Sequence, residues 1–124
     1  MPQIGHVIEK VVVAGQHERE VPMLVDTGAT YSVVSPVLAD EIGIARLGRR
    51  YQIRLANGAP VDMDVGVAMF RVHGREAPAT VLIGEVSEPL LGVETLEALG
   101  LSVDPVAGVL RKKRGYAVRL GGFR

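Results

Sequence analysis

The 124-residue chain contains no cysteine and no tryptophan, only three Tyr and two Phe, and no net charge, because 14 basic residues balance 14 acidic ones. The missing cysteine excludes a disulfide framework and a thiolate zinc site, and it leaves the redox compartment open. Balanced charge argues against a protein built mainly to hold nucleic acid or an anionic membrane surface. Hydrophobic residues make up 48% of the chain, yet they come in runs of a few residues, far short of the ~20 that cross a bilayer. The segment Met1-Pro2-Gln3-Ile4-Gly5-His6 lacks a basic stretch followed by an apolar one. No secretory leader is therefore expected, and the chain reads as cytoplasmic. Its 15 glycines form neither a Gly-x-Gly-x-x-Gly nor a P-loop pattern, so nucleotide binding has no support.

What is present is Val, Leu, Ile and Ala, punctuated by those glycines and 7 prolines. That composition reads as many short strands joined by tight turns. The length suits one domain, residues 1–124, with a core that needs no staples. Strands are expected at Val7–Val13, Val21–Val25 and Tyr31–Val34. Ser35-Pro36 then opens a short helix that Gly43 ends, with Ser as N-cap and Pro in the first turn. Tyr51–Leu55 and Val61–Val65 alternate apolar with polar residues around Asn57-Gly58, a strong hairpin signal. Further strands are expected near Ala68–Val72 and Thr80–Ile83. A second helix over Val93–Leu99 stops at Gly100. Leu101–Val103, a turn at Asp104-Pro105, Val109–Arg111 and a last strand at Tyr116–Leu120 complete the pattern. The two halves echo one another, each with a short helix closed by glycine (Gly43-Ile44, Gly100-Leu101), the trace expected of two related halves about a pseudo-axis.

Asp26 is the main candidate for chemistry. It follows Met23-Leu24-Val25 and precedes Thr27-Gly28-Ala29, so a strand delivers a carboxylate into a glycine-containing turn. At an element end, burial and neighbours can tune a carboxylate, and Gly28 permits close backbone approach. The tripeptide alone reads equally as an ordinary Asp-Thr-Gly turn.

In context, Leu24-Val25-Asp26-Thr27-Gly28-Ala29-Thr30, an intervening hairpin, and Thr80-Val81-Leu82-Ile83-Gly84 leading to Leu90-Leu91-Gly92 and a helix resemble the retroviral-type (retropepsin-like) aspartic proteases. The resemblance runs from about Lys10 to Arg111. It implies an all-β acid-protease fold, a closed barrel or sandwich with one or two short helices, one lobe per chain. Asp26 would be catalytic. Thr27 would grip the partner subunit's loop, and Gly28 and Ala29 would wall the substrate backbone. Tyr51–Asp64 would be a flap, with Ile53, Leu55, Asn57 and Gly58 at the substrate, and Leu91 and Gly92 would support the loop from behind. Such chemistry needs two adjacent carboxylates sharing a proton. One Asp-Thr-Gly per chain therefore implies a C2 homodimer acting on a polypeptide, with no metal or cofactor.

This sequence departs from the viral pattern at three places. Thr30 and Val93 stand where an acidic residue and an arginine usually pair. The hairpin tip holds one glycine, and Pro60 removes a donor. Ala29 replaces a Ser common in secreted relatives, which removes a hydroxyl from the carboxylate and predicts a less acidic optimum than that of gastric-type enzymes. Val33, Ile53, Leu55 and Val81 are expected to line the specificity pocket. The rival readings are a silent retropepsin-like dimerisation or peptide-binding module and an unrelated monomeric β-barrel.

The weaker signals have ordinary explanations. Asp62-Met63-Asp64 resembles a phosphotransferase Asp-x-Asp but reads as hairpin carboxylates facing solvent. His6, His17 and His73 lack metal-ligand spacing. Arg111-Lys112-Lys113-Arg114 has no interleaved aromatics and reads as a solvated turn.

Overall fold

The computed structural model describes residues 7–54 and 57–113. The elements in chain order are β1 (Ile8–Ala14), β2 (Glu18–Val25), β3 (Ser32–Val34), α1 (Pro36–Ile42), β4 (Arg46–Arg54), β5 (Pro60–Val72), β6 (Arg75–Ile83), β7 (Leu90–Leu91), α2 (Val93–Leu99), β8 (Leu101–Asp104) and β9 (Val109–Lys112). The fold is all-β with two short helices, as expected. The strand expected at Tyr116–Leu120 lies outside the described residues, as do Leu55, His6 and Arg114.

Seven strands form one sheet in the order β1-β2-β7-β3-β6-β5-β4, and β5 also pairs with β1. That extra pairing closes β1, β2, β7, β3, β6 and β5 into a barrel, which removes the exposed edges an open sheet would leave. β5 forks to achieve this. Its later residues, Met69 to Arg71, pair with β1, while Pro60 to Gly66 pair with β4. The β4–β5 hairpin therefore leaves the barrel, and Ile53 is the only residue of β4 that is not exposed. Gly66 sits at the fork, where a Cβ would lie 2.8 Å from the Ala45 carbonyl oxygen. Only glycine lets the two backbones pass so closely.

The core follows from strand alternation. Val11, Val13, Met23, Phe70, Val72, Val81, Leu91, Leu99 and Leu101 are all at most 1% exposed and form the main cluster inside the barrel. A smaller cluster of Val33, Met63 and Leu82 lies under the hairpin and gathers Tyr31, Ile53, Val61, Val65 and Leu90 around it. Neighbours along β6 thus serve different cores, Val81 the barrel and Leu82 the hairpin, because successive side chains point to opposite faces.

The helix boundaries match their sequence signals. The Ser35 Oγ accepts from the Leu38 N–H at 3.1 Å, Pro36 occupies the first turn, and Gly43 ends α1 in the left-handed region at φ 72°. Gly100 ends α2 in the same way at φ 66°. The strands differ in two respects. The segments expected at 61–65 and 68–72 are one continuous strand, because Gly66 continues the ladder opposite Val81 instead of breaking it. The two-residue turn falls at His73-Gly74, where both residues have positive φ (52° and 78°) and Val72 pairs with Arg75. These are the requirements of a type I′ hairpin, and histidine is among the residues that tolerate such a backbone. Asn57-Gly58 belongs to a longer connection, since Arg54 pairs with Pro60 across it. Among the described residues no helix is long and apolar enough to cross a membrane.

Candidate active site

β2 and β3 are consecutive in sequence yet separated in the sheet by β7, which runs parallel to β2 and antiparallel to β3. The connection carrying Asp26-Thr27-Gly28-Ala29 must therefore arch across the end of β7. Its conformation is fixed by short-range bonds. The Ala29 N–H donates to the Asp26 carbonyl at 3.1 Å, closing a turn, and the Gly28 N–H donates to the Asp26 Oδ1 at 2.9 Å. The second bond orients the carboxylate, as an Asx turn does. The Asp26 N–H donates to the Leu91 carbonyl at 3.0 Å, so the residue that bears the carboxylate is tied to β7.

Behind the loop stands the N-terminus of α2. Its first N–H groups have no intrahelical partners, and here they donate to the loop: Val93 to the Ala29 carbonyl and Glu94 to the Thr30 carbonyl, each at 2.8 Å. Gly92, the N-cap, has no side chain to offer. A Cβ there would lie 2.5 Å from the Tyr31 carbonyl carbon and 2.9 Å from the Ala29 oxygen. Its N–H donates to the Ser32 Oγ at 2.9 Å, and that oxygen lies 2.6 Å from the Thr95 Oγ1. Ser32 and Thr95 are fully buried. Backbone bonds thus join the segments around Thr30 and Val93, where the viral pattern would place a side-chain ion pair.

In front of the loop lies a groove of about 470 Å3 lined by Asp26, Gly28, Ala29, Thr30, Tyr31, Val33, Tyr51, Gln52, Ile53, Arg54, Leu82 and Leu90. Among the described residues of that lining, Asp26 is the one carboxylate and Arg54 the one cation. The floor is apolar, supplied by the small cluster under the hairpin, and the roof is β4. Arg54 Nη1 donates to the Gly58 carbonyl at 2.7 Å and the Asn57 Oδ1 accepts from the Ala59 N–H at 2.9 Å, which shapes the tip. Across the groove the Tyr31 and Tyr51 hydroxyls are 3.1 Å apart, with the rings edge to face and centroids separated by 5.2 Å.

Of the residues singled out from sequence, Asp26, Gly28, Ala29 and Ile53 line this groove, and Val33 lies in its floor. Thr27 is exposed at the loop, Asn57 and Gly58 are exposed at the hairpin tip, and Leu91 and Gly92 are buried behind the loop. Leu55 lies outside the described residues. Val81 does not line the groove. It is fully buried in the barrel core, and its neighbour Leu82 takes the pocket position because alternation turns that side chain the other way. Ser32, Thr95, Tyr31 and Tyr51 were not legible as site residues. Their partners are 63 and 20 positions apart, beyond any local periodicity.

The weaker signals resolve as surface features. Asp64 lies 3.8 Å from both Arg46 and Arg50, and Asp62 accepts from Gln52 at 3.4 Å. His73 contacts Glu9 at 2.9 Å, and Arg111 contacts Asp104 at 2.6 Å. Among the described residues no group of three or more His, Asp or Glu is placed to hold a metal ion.

Residues 11–98 match the family described as gag-polyprotein aspartyl protease. Among solved structures, the chain is similar to the EIAV protease complexed with the inhibitor HBY-793. The TM-score is 0.64 and the identity 24%, over 80% of this chain and 92% of that one. At that identity the likeness is one of fold. No curated protein sequence matches the chain.

Proposed function

This chain belongs to the gag-polyprotein aspartyl protease family, and from that premise we propose that it is an endopeptidase, active as a homodimer, that hydrolyses peptide bonds with two Asp26 carboxylates, one from each subunit. The observation that carries the reading is the position of Asp26, whose carboxylate is oriented by the Gly28 N–H in the groove beneath the β4–β5 hairpin. One carboxylate cannot serve as base and acid at once. Two brought together share a proton, because adjacent like charges cannot both ionise.

In the dimer, one Asp26 is ionised and removes a proton from a water held between the pair. The resulting hydroxide forms the new bond to the scissile carbonyl carbon. The second Asp26, protonated, donates to the carbonyl oxygen as negative charge builds on it. When the tetrahedral intermediate collapses, the C–N bond breaks and a carboxyl proton passes to the leaving amine. Thr27 reaches the partner's loop, and Gly28 and Ala29 lie along the substrate backbone. Ile53, Asn57 and Gly58 cover the substrate from the hairpin side, while Leu91 and Gly92 hold the loop. The substrate is an extended peptide lying as a strand between hairpin and floor.

The test is cleavage of a diverse peptide mixture from acid to neutral pH by the wild type and Asp26→Asn, with sedimentation of both. Cleavage by a dimeric wild type, and none by an equally dimeric variant, is the expected result. A well-folded dimer that cleaves nothing would favour a peptide-binding role, and a monomer would contradict the shared dyad. An optimum at pH 2–3, about where a strongly depressed first dyad pKa places it, would contradict the role given to Ala29.

A further inference from the structure

The contact between Tyr31 and Tyr51 is not explained by packing alone. Tyr31 ends the segment that carries Asp26, its carbonyl packs against Gly92, and the residues just before it, Ala29 and Thr30, accept backbone bonds from Val93 and Glu94. Tyr51 sits on β4 opposite Met63, three residues before the strand ends at Arg54. At about 3.3 Å per residue it is ~10 Å from that end, on the side remote from the tip. Among the described residues no other hydrogen bond joins β4 to residues 26–31. Yet β4 is exposed along almost all its length, and Tyr51 itself is 44% exposed. Besides its ladder with β5 and the packing of Ile53 on the small cluster, the hydroxyl contact is the polar tie between β4 and the floor among the described residues.

We propose that Tyr31 and Tyr51 are positioning residues: their paired hydroxyls brace the hairpin at a fixed height above the Asp26 loop and wall the groove on the side away from the tip. The inference rests on the protease reading for its kinetic consequence, though not for the brace itself. Because the pair sits toward the base of the hairpin, a peptide can pass between the tip and Asp26 with the brace intact. Substrate then meets a hairpin already held near its bound position, and less ordering is needed on binding. The edge-to-face rings give the brace a defined geometry. The hydrogen bond from Tyr51 also holds the Tyr31 hydroxyl above the usual tyrosine range.

The experiment uses Tyr31→Phe, Tyr51→Phe and the double variant in the full chain, since phenylalanine keeps the ring and removes only the hydroxyl. With no tryptophan and three tyrosines in the chain, alkaline absorbance titration reads tyrosinate formation directly and needs no activity. The wild type should show one late-ionising tyrosine, and Tyr51→Phe should abolish that late step. A late step that persists in Tyr51→Phe, once the amplitude is scaled to its two remaining tyrosines, would overturn the brace. In peptide cleavage, each single variant should raise KM by about three- to ten-fold, the range expected for one neutral hydrogen bond. kcat should stay nearly unchanged, and the double variant should match the singles because all three lose the same bond. An unchanged KM in all three variants, or additive losses, would refute the positioning role. A wild type that cleaves no peptide would count against the protease reading alone, with the titration still deciding the brace.

Discussion

Replacing Ser32 and Thr95, singly and together, tests whether the buried hydroxyl pair is what holds α2 to the Asp26 segment. Both residues are fully buried, and the Ser32 Oγ accepts from the Gly92 N–H at 2.9 Å while it pairs with the Thr95 hydroxyl at 2.6 Å. Ser32→Ala strands two groups in the interior, the Gly92 N–H and the Thr95 hydroxyl. An unsatisfied buried group costs about 1–3 kcal/mol, so stranding two should cost roughly 2–6 kcal/mol. Thr95→Val keeps the volume and leaves Ser32 bonded to Gly92, so only one hydroxyl contact is lost, about 1 kcal/mol. In the double variant only the Gly92 N–H is left unpaired. The double should therefore be about 1–3 kcal/mol more stable than Ser32→Ala, with a coupling of roughly 2–4 kcal/mol between the sites. Urea unfolding at one fixed protein concentration measures all four proteins, the concentration being fixed because dimerisation would add to apparent stability. Additive losses, or a Ser32→Ala cost below about 0.5 kcal/mol, the range of an ordinary surface change, would refute the reasoning.

Gly92→Ala should be more damaging than its one added methyl suggests. The new Cβ would lie 2.5 Å from the Tyr31 backbone, which cannot yield as a side chain can. The expected destabilisation is about 1–3 kcal/mol or more, and peptide cleavage should fall further than thermal unfolding, since the displaced atoms belong to the Asp26 segment. Asp104 sets an acid limit on the β8–β9 hairpin. The Arg111 hydrogen bond, then the Ala107 and Val106 N–H groups, stabilise its ionised form and hold the carboxyl below its ordinary value. The contribution is thus present above the usual carboxylate range and is lost as pH falls through the lowered value. Protection of the β8 and β9 amides, taken relative to the intrinsic exchange rate at each pH, should fall as the pH drops below about 4, and Asp104→Asn should remove that dependence.

The parts of this fold that could be read from sequence are those fixed by local chemistry. Ser35, Pro36 and Gly43 bracket α1 because capping is satisfied within a few residues, and Gly100 closes α2 for the same reason. Val33 and Ile53, expected at the pocket, do line the groove. What escaped was set by tertiary approach. Gly66 looked like a break between strands, but its lack of a side chain serves the crossing of Ala45. His73-Gly74 turned the chain where Asn57-Gly58 had the stronger signal, because the latter connects strands that stand off the barrel. Val81 and Leu82 are chemically alike, and only the sheet decides which of them faces the pocket. The same holds for the site: Asp26 was visible in its tripeptide, whereas Ser32, Thr95 and the tyrosine pair depend on partners brought together by the closed barrel.

The insertion of β7 between β2 and β3 also dictates an order of events as the chain is made. Every bond that fixes the Asp26 segment from behind comes from Leu91 to Thr95, and the Gly92 to Ser32 bond spans 60 residues. Closing so long a loop is entropically costly until other contacts have formed. A chain emerging N-terminus first can pair β1 with β2 and β5 with β6 before β7 exists, yet its carboxylate loop has nothing behind it. The site therefore waits for the Leu91–Thr95 segment, and a chain halted before Leu90 would hold most of the barrel's strands without the bonds that back its aspartate.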